Sequence, residues 1–446
     1  MAVNWIAILI LIGITIVVIQ KEKFKYIDAF IFFIPFNATV VFFTQNNTAV
    51  NLPFVLFFLA SGAFFLRRSL HTKFTLPFKN KSLLIWLIVI ALVALISQIM
   101  PFIINGSFNV LERYGVEIYW AKEKPLYPSM QWFSQTLYFL IGLLVVLIIS
   151  TTYTTLSEIK KALKLLLSGI TFMVFWAWIG DLTYFLDIPY PTIFNQIGMN
   201  EFGVHGFKGF PRMVGPTMEA SYFAQMLIPI TPYFYWFHQQ NNSFVFNKNF
   251  HRNMYVVSLI TLPLAITTTG VFGFFLVAAF WLKNNLRFLS KGSKYFLVIM
   301  YMILLLISVF LAINYLIDIS ETYSGIERFK TVGFGAKYFL EYPILGLGFG
   351  VFPTYDLLIN LLVNFGLLGT IPFLILLYNV YIRLKNKIID KRKANYPLFK
   401  AAIESFILLL IVSQLSGFIY HSQYFWLYIG LAISIGGLRF KNEEVT

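Results

Sequence analysis

Residues 206–221 read GFKGFPRMVGPTMEAS and separate two strongly apolar runs. Lys208, Arg212, Glu219 and Ser221 stand close together in this stretch, immediately before the second run begins. Charged residues next to a bilayer are costly and are usually functional. The stretch therefore predicts a polar site at the boundary of membrane-spanning segments.

The composition of the whole chain is that of a membrane protein. Of its 446 residues, 59% are hydrophobic and only 12% are charged, and the mean hydropathy is +0.75, whereas soluble proteins carry about 25% charged residues. A transmembrane helix needs roughly 20 apolar residues. We predict an all-α integral membrane protein with about 12–13 transmembrane helices, and residues 1–446 forming a single polytopic membrane domain.

Two further features of the composition exclude classes of site and partner. The chain has no cysteine, which excludes disulfides, thiolate metal sites and thiol nucleophiles. The net charge is +15, but the basic residues form short clusters between apolar runs and do not share one solvated domain. This pattern indicates the positive-inside rule, and no nucleic-acid partner is predicted.

The basic clusters assign each loop to one side of the membrane. In a topology of thirteen crossings, 26 of the 34 Lys and Arg residues fall in loops assigned to the cytoplasm and 8 in loops assigned to the outside. The first run, residues 3–20, is interpreted as a retained span, and residues 27–44 as the next crossing. Three polar loops then face outward: residues 105–130, 187–217 and 317–354.

The apolar stretch 254–282 has basic residues on both flanks. An even number of crossings is needed if both flanks are cytoplasmic. We predict a hairpin of two short helices that turns near Thr267 and Gly270. A single long tilted helix is the alternative.

One motif resembles a known family. Arg212, Gly215, Glu219, Ser221 and Ala224 are spaced as in the R-x-x-G-x-x-x-E-P-S-x-x-A pattern of the O-antigen polymerase and O-antigen ligase superfamily. The glutamate is followed here by alanine where the pattern has proline.

A later segment is similar to the second motif of that superfamily. Arg328 is followed by EYPILGLGFGVF at residues 341–352 and NLLVNFGLLG at residues 360–369. Ligase members tend to carry a His-Asn pair where this chain has Tyr355 and Asp356. The resemblance therefore favours a polymerase over a ligase.

The resemblance implies a fold, a reaction and a location. The fold is that of a GT-C-like glycosyltransferase with large extracytoplasmic loops in the bacterial cytoplasmic (inner) membrane. Members transfer a glycan from a polyprenyl diphosphate to a sugar hydroxyl, which makes a surface polysaccharide such as O-antigen, capsule or exopolysaccharide. The implied partners are the polyprenyl-diphosphate-linked glycans, the lipid bilayer, and chain-length regulator and export proteins.

Such a transfer needs positive charge on the departing diphosphate and a group that takes the acceptor proton. Arginine binds phosphate oxygens through a planar fork and stays charged. We therefore predict Arg212, Glu219 and Arg328 as catalytic residues. The predicted substrate-binding residues are Lys208, Ser221, Lys330, Lys337, Tyr355 and Asp356.

Several alternatives remain open. Glu219 is either the base, an ion-pair partner that orients Arg212, or a favourable charge at a helix N-terminus. Arg328 is otherwise an ordinary loop cation, Lys208 a solvated lysine, and Asp356 a helix cap. His205 and His421 are interpreted as structural.

No cofactor and no catalytic metal are predicted, because the outer loops contain no D-x-D or H-E-x-x-H cluster. A flippase or transporter of the same lipid-linked glycan is the alternative from another class. Transporters favour internal repeats and polar residues within the spans, and this chain places most of its charges in loops.

Overall fold

A computed structural model describes most of the chain. The described residues are 4–21, 25–43, 49–69, 81–111, 122–190, 192–195, 211–240, 244–286, 323–388, 395–415 and 422–438, with isolated positions between 290 and 306. The chain is mostly helical, as predicted.

The helices follow one another with few strands between them. They are α1 (Trp5–Gln20), α2 (Tyr26–Phe33), α3 (Leu52–Ser69), α4 (Lys81–Ser97), α5 (Met100–Ile104), α6 (Met130–Thr152), α7 (Leu156–Phe185), α8 (Ala220–His238), α9 (Lys248–Leu264), α10 (Thr268–Asn285), α11 (Tyr323–Glu341), α12 (Leu357–Lys387), α13 (Tyr396–Val412) and α14 (Gln423–Gly436). Two antiparallel pairs join β1 (Val40–Phe43) to β2 (Ala49–Asn51) and β3 (Asn109–Leu111) to β4 (Glu123–Pro125).

Among the described residues, four stretches are long and apolar enough to cross a membrane: Lys81–Ile104, Met130–Thr152, Leu156–Phe185 and Leu357–Lys387. Three shorter apolar helices cover Trp5–Gln20, Leu52–Arg67 and Gln423–Gly436. These helices indicate a membrane protein. The full count of twelve or thirteen crossings and their orientation stay predictions.

Helix α8 is the centre of the bundle. From Phe223 to Phe237 every side chain is buried, and the helix packs mainly against α13, α9 and α10. A helix that is apolar on every side has to be enclosed by protein or lipid, and α8 is enclosed by protein. The motif that precedes α8 is therefore attached to a helix that the protein encloses on every side.

The predicted hairpin of residues 254–282 is confirmed. Helix α9 ends at Leu264, and Thr267 caps α10 by accepting a hydrogen bond from the backbone N–H of Gly270 over 2.9 Å. Ile266, in the turn, has a φ of 47°. This conformation is rare for a β-branched residue and marks local strain.

The predicted crossing at residues 27–44 differs from the structure. The helix in this region covers only Tyr26–Phe33 and is followed by strand β1. Pro35 lies just beyond the helix, and because proline has no N–H to donate to a carbonyl of the preceding turn, it helps to end the helix there.

The stretch 317–354, predicted as a loop, contains helix α11. One face of α11 lies in a second apolar cluster with the β3–β4 hairpin and the turn after α11, in which Tyr338 is fully buried. The Tyr338 hydroxyl accepts a hydrogen bond from the Leu111 N–H over 2.9 Å. Parts of the predicted loops 105–130 and 317–354 are thus packed together.

Helix α12 is broken at Gly366, where φ is 60° and ψ is −163°. The N–H groups of Leu367 and Leu368 instead donate to the carbonyls of Pro343 and Ile344 over 2.8 and 3.0 Å. A Cβ on Gly366 would lie 2.3 Å from the Ile344 backbone. The two halves of the second motif therefore interlock through their backbones, and a broken helix is tolerated because its freed groups are satisfied by protein.

Candidate functional site

The segment from Pro211 to Thr217 is largely buried and is held by hydrogen bonds to its backbone. The Asn195 amide donates to the Gly215 carbonyl over 2.6 Å, and the Met218 N–H donates to the Asn37 side chain over 2.9 Å. Residues 211–217 form no regular helix or strand, but they are more buried than an exposed polar loop would be, because their apolar side chains fill space beside α7 and α8. Lys208 and His205 lie outside the described residues.

Gly215 fixes the path of this segment. Its φ is 60°, and an added Cβ would lie 2.8 Å from the carbonyl oxygen of Met173 on α7. Only glycine combines this backbone conformation with so close an approach at little cost. The segment that carries Arg212 is thus pressed against α7.

Arg212 borders a cleft of about 110 Å³ at the end of α7. Its Nε is buried and makes no hydrogen bond to the described part of the chain. A buried guanidinium nitrogen without a partner is costly and calls for an explanation. A bound anionic group would supply the missing acceptor.

Asp181 lines the same cleft and was not among the predicted site residues. Its carboxylate makes no hydrogen bond or ion pair within the described residues, and Arg212, its neighbour in the cleft, lies beyond the 4.0 Å of an ion pair. Asp181 is the single acidic residue between Lys164 and Leu186. That isolation was the signal that sequence reasoning missed, since a lone acid in an apolar span is usually functional.

Tyr190 closes one side of the cleft. Its hydroxyl donates towards Asn195 Oδ1 and the Gly215 carbonyl over 3.2 and 3.3 Å. Burial raises the pKa of Tyr190, so the hydroxyl stays protonated and holds the segment of Arg212 in place.

Glu219 occupies the N-cap position of α8 but makes no capping hydrogen bond with its side chain. The side chain is exposed and accepts a hydrogen bond from the Ser221 hydroxyl over 3.0 Å. Arg212 and Glu219 form no ion pair, so the orienting pair considered for them is not seen. Glu219 remains accessible to a substrate and favourably placed at a helix N-terminus.

Arg328 lies on α11 and reaches three other elements. Its Nη1 donates to the hydroxyl of Thr268 over 3.1 Å and, at 3.4 Å, towards the Leu415 carbonyl. The guanidinium carbon lies 5.3 Å from the ring centroid of Tyr355. Its Nε is buried and has no hydrogen-bond partner in the described chain.

The other predicted binding residues are less engaged. Asp356 caps α12 by accepting from the Ile359 N–H over 2.7 Å, which is the capping role considered for it. Lys330 is exposed, and Lys337 lies 4.0 Å from Glu123 in an exposed pair. These three residues are thus placed around the helix that carries Arg328 and the one that follows it.

The segments that carry the two arginines contact the same turn. The N–H of Met213, next to Arg212, points to the Leu264 carbonyl at 3.4 Å, at the end of α9. The Arg328 side chain itself donates to the Thr268 hydroxyl, at the start of α10. Two segments far apart in the sequence, each with an arginine whose Nε has no partner in the described chain, therefore meet opposite ends of the turn around Ile266.

The candidate site thus has positive charge in the cleft, from Arg212, and at the α9–α10 turn, from Arg328. It has the donors for an anion that carries several oxygens, and two candidate proton acceptors, Asp181 in the cleft and Glu219 at the exposed start of α8. No model of a known protein family and no curated protein matches the chain. The functional interpretation is therefore based on the two arginines and the two carboxylates.

Proposed function

We propose that this chain is an integral membrane glycosyltransferase that polymerises polyprenyl-diphosphate-linked oligosaccharide units into a surface polysaccharide. The proposed fold is GT-C-like with twelve or thirteen spans, in the bacterial cytoplasmic membrane, with the arginine site on the outer face. The observation that carries the proposal is that Arg212 and Arg328 each have a buried Nε without a partner among the described residues, in segments that contact opposite ends of the α9–α10 turn.

Two arginines suit a diphosphate leaving group. A hydroxyl oxygen of the acceptor sugar attacks the anomeric carbon of the donor, and the bond from that carbon to the diphosphate oxygen breaks. The departing diphosphate keeps the bonding electrons, and Arg212 and Arg328 stabilise its charge by charge-assisted hydrogen bonds. Direct displacement of this kind inverts the configuration at the anomeric carbon.

The acceptor hydroxyl has to lose its proton during the attack. Asp181 shares the cleft with Arg212, and Glu219 is exposed at the start of α8. Either carboxylate is of the type that accepts such a proton. The proposal assigns this role to Asp181, because it faces the same space as an arginine, and assigns Glu219 to binding of the acceptor.

Single variants test the site. Arg212→Gln and Arg328→Gln remove the charge, and the exposed Lys283→Gln serves as the control. Each variant is checked for membrane expression, and the length of the lipid-linked glycan is followed in cells. We expect each arginine variant to lower polymerisation by about 100-fold or more, the usual effect of removing one donor to a developing charge.

The product that accumulates identifies the reaction. Single repeat units on the carrier support the polymerase proposal. Long carrier-linked polymer that fails to reach a final acceptor would indicate a ligase. An unchanged glycan pattern in both arginine variants would refute the site and favour transport.

A further inference from the structure

A second cavity lies at the other end of α7. It has a volume of about 400 Å³ and is lined by α1, α2, α3, α6 and the first turn of α7. Glu158, which lines it, is separated from Asp181 by 23 positions of one helix, or roughly 35 Å at 1.5 Å per residue. A hydrocarbon core is about 30 Å thick, so the two sites belong to opposite membrane faces.

The acidic groups around this cavity are already satisfied. Glu158 Oε2 accepts hydrogen bonds from the N–H groups of Thr154 and Thr155 over 2.9 and 3.0 Å. Asp28, behind the wall, binds the Lys161 ammonium over 2.6 Å and the Tyr153 hydroxyl over 2.7 Å. Both carboxylates are therefore stabilised within the protein, and Lys25 is close enough to Glu158 for their charges to attract.

The basic groups that line the cavity have no direct hydrogen-bond or ion-pair partner in the described chain. Lys25 and Arg67 both face it, and their side chains make no hydrogen bond and no ion pair within the part of the chain that is described. Lys161, the nearby base that is paired, has its partner in Asp28. The cavity thus combines two cations that form no direct ion pair in the described chain, one of them attracted by Glu158, with acids that are hydrogen-bonded within the protein.

The remaining wall combines threonines with apolar residues and adjoins a surface of exposed apolar side chains. Val18, Ala63 and Ile148 line it, and the flanking residues Ile19 and Leu66 are 77% and 65% exposed. Large exposed apolar side chains on spanning helices are in contact with lipid. A molecule that fills this cavity therefore needs an anionic end for the cations and an apolar end for the wall.

We propose that this cavity binds one anionic diacyl phospholipid, with its phosphate between Lys25 and Arg67 and an acyl chain along the apolar wall. Basic pockets between spanning helices on the cytoplasmic side are suited to anionic head groups, and 400 Å³ is within the usual size of a ligand site. The basic clusters assign this end of the bundle to the cytoplasm. The site is independent of the glycan reaction proposed above.

The test uses the purified full-length protein in detergent micelles with dioleoyl phosphatidylglycerol or dioleoyl phosphatidylcholine. Native mass spectrometry measures the lipid retained, and the thermal unfolding midpoint is followed in parallel. We expect one phosphatidylglycerol to be retained and to raise the midpoint, and phosphatidylcholine to be retained much less. Equal retention of both lipids would overturn the proposal.

Matched variants separate the cavity from general surface charge. The double variant Lys25→Gln, Arg67→Gln is expected to weaken phosphatidylglycerol binding by about five-fold per charge removed. The control Arg252→Gln, Lys283→Gln removes the same charge from exposed positions assigned to the same face, and should change binding by less than about two-fold. Equal weakening of phosphatidylglycerol binding in both double variants would show that general surface charge, and not this cavity, attracts the lipid.

A further variant keeps the charge and fills the space. Ala63→Phe narrows the apolar wall, so we expect it to lower lipid retention while both cations remain. Retention unchanged in Ala63→Phe, or full competition by inorganic phosphate, would indicate a simple anion site and overturn the proposal. If the double variant does not fold, the two single variants carry the same comparison.

Discussion

The guanidinium carbon of Arg328 lies 5.3 Å from the ring centroid of Tyr355, so that the side chain from α11 rests on the residue just before α12. An arginine over an aromatic face gains about 0.5–1 kcal/mol at an accessible site. The ring therefore helps to hold Arg328 towards the α9–α10 turn.

We predict that Tyr355→Leu lowers polymerisation by about two- to five-fold, the loss expected for one contact of this strength. Tyr355→Phe keeps the ring and should stay near the wild-type level. Glycan chain length in cells checks both variants. A similar loss in Tyr355→Phe would mean that the hydroxyl, and not the ring, is what matters.

Asp181→Asn and Glu219→Gln separate the two candidate bases. Each replacement removes a carboxylate and nearly keeps its shape. We expect Asp181→Asn to lower the rate of glycan transfer by about 100-fold or more. Glu219→Gln should mainly raise the acceptor concentration that gives half of the maximal rate. The measurement is the rate with purified protein at varied acceptor concentration, and the reverse pattern would assign the base to Glu219.

Gly215→Ala should destabilise the protein and displace Arg212. The left-handed conformation costs a non-glycine residue roughly 1–2 kcal/mol, and the added methyl group would meet the Met173 carbonyl at 2.8 Å. Gly333→Ala on α11 is the control, because no atom lies within 4 Å of its Cβ. Alanine favours a helix interior by about 1 kcal/mol, so the control should be neutral or stabilising in thermal unfolding. An unaltered midpoint in Gly215→Ala would contradict the prediction.

Tyr338→Phe should loosen the β3–β4 hairpin from α11. The Leu111 N–H then loses its acceptor at a buried position, which costs about 1–3 kcal/mol. Tyr342→Phe removes a hydroxyl that makes no hydrogen bond to the described residues, and its stability should be unchanged. Thermal unfolding and hydrogen exchange at Leu111 distinguish the two variants, and equal effects would argue against the role of this bond.

His251 predicts a pH dependence of stability. Burial, with a smaller effect of neighbouring His238, lowers the pKa of His251 to about 4, whereas an unfolded histidine titrates near 6.5. Between these values the unfolded chain binds more protons, so stability is complete above about pH 6.5 and falls as the pH drops towards 4, by at most about 1.4 kcal/mol per pH unit.

Unfolding midpoints from pH 8 to 4 check this slope. His251→Leu should flatten it, even if the variant is less stable at neutral pH. Burial, together with the nearby charges of Lys248 and Arg252, lowers the pKa of His238 as well, so His238→Leu is measured alongside. A slope that persists in His251→Leu would assign the dependence to another group.

The sequence predicted the elements whose signals are local. Helix α8 begins at Ala220, where the apolar run starts, and the hairpin of α9 and α10 followed from basic residues on both flanks of one apolar stretch. Helix α11 was missed because its low apolar content reads as a loop, and its buried face is defined only by contact with β3–β4 and α12.

The candidate site also combines features that local sequence signals predict with features that only tertiary contacts create. Arg212 and Arg328 were selected by their chemistry and by the resemblance, but the contact of both segments with the α9–α10 turn depends on tertiary structure. Asp181 was visible as a lone acid in an apolar run. Asp181 and Arg212 line the same cleft because the segment around Gly215 packs against α7. The spacing of residues in the sequence does not indicate this packing.

The complete enclosure of α8 has a consequence for the response to lipid. A bilayer that is too thick or too thin acts on a helix by tilting it through its lipid contacts. Exposed helices such as α1 have such contacts, whereas α8 is surrounded by neighbouring helices from Phe223 to Phe237. Changes in membrane thickness should therefore reorient the periphery of the protein and leave the depth of Glu219 set by its protein neighbours.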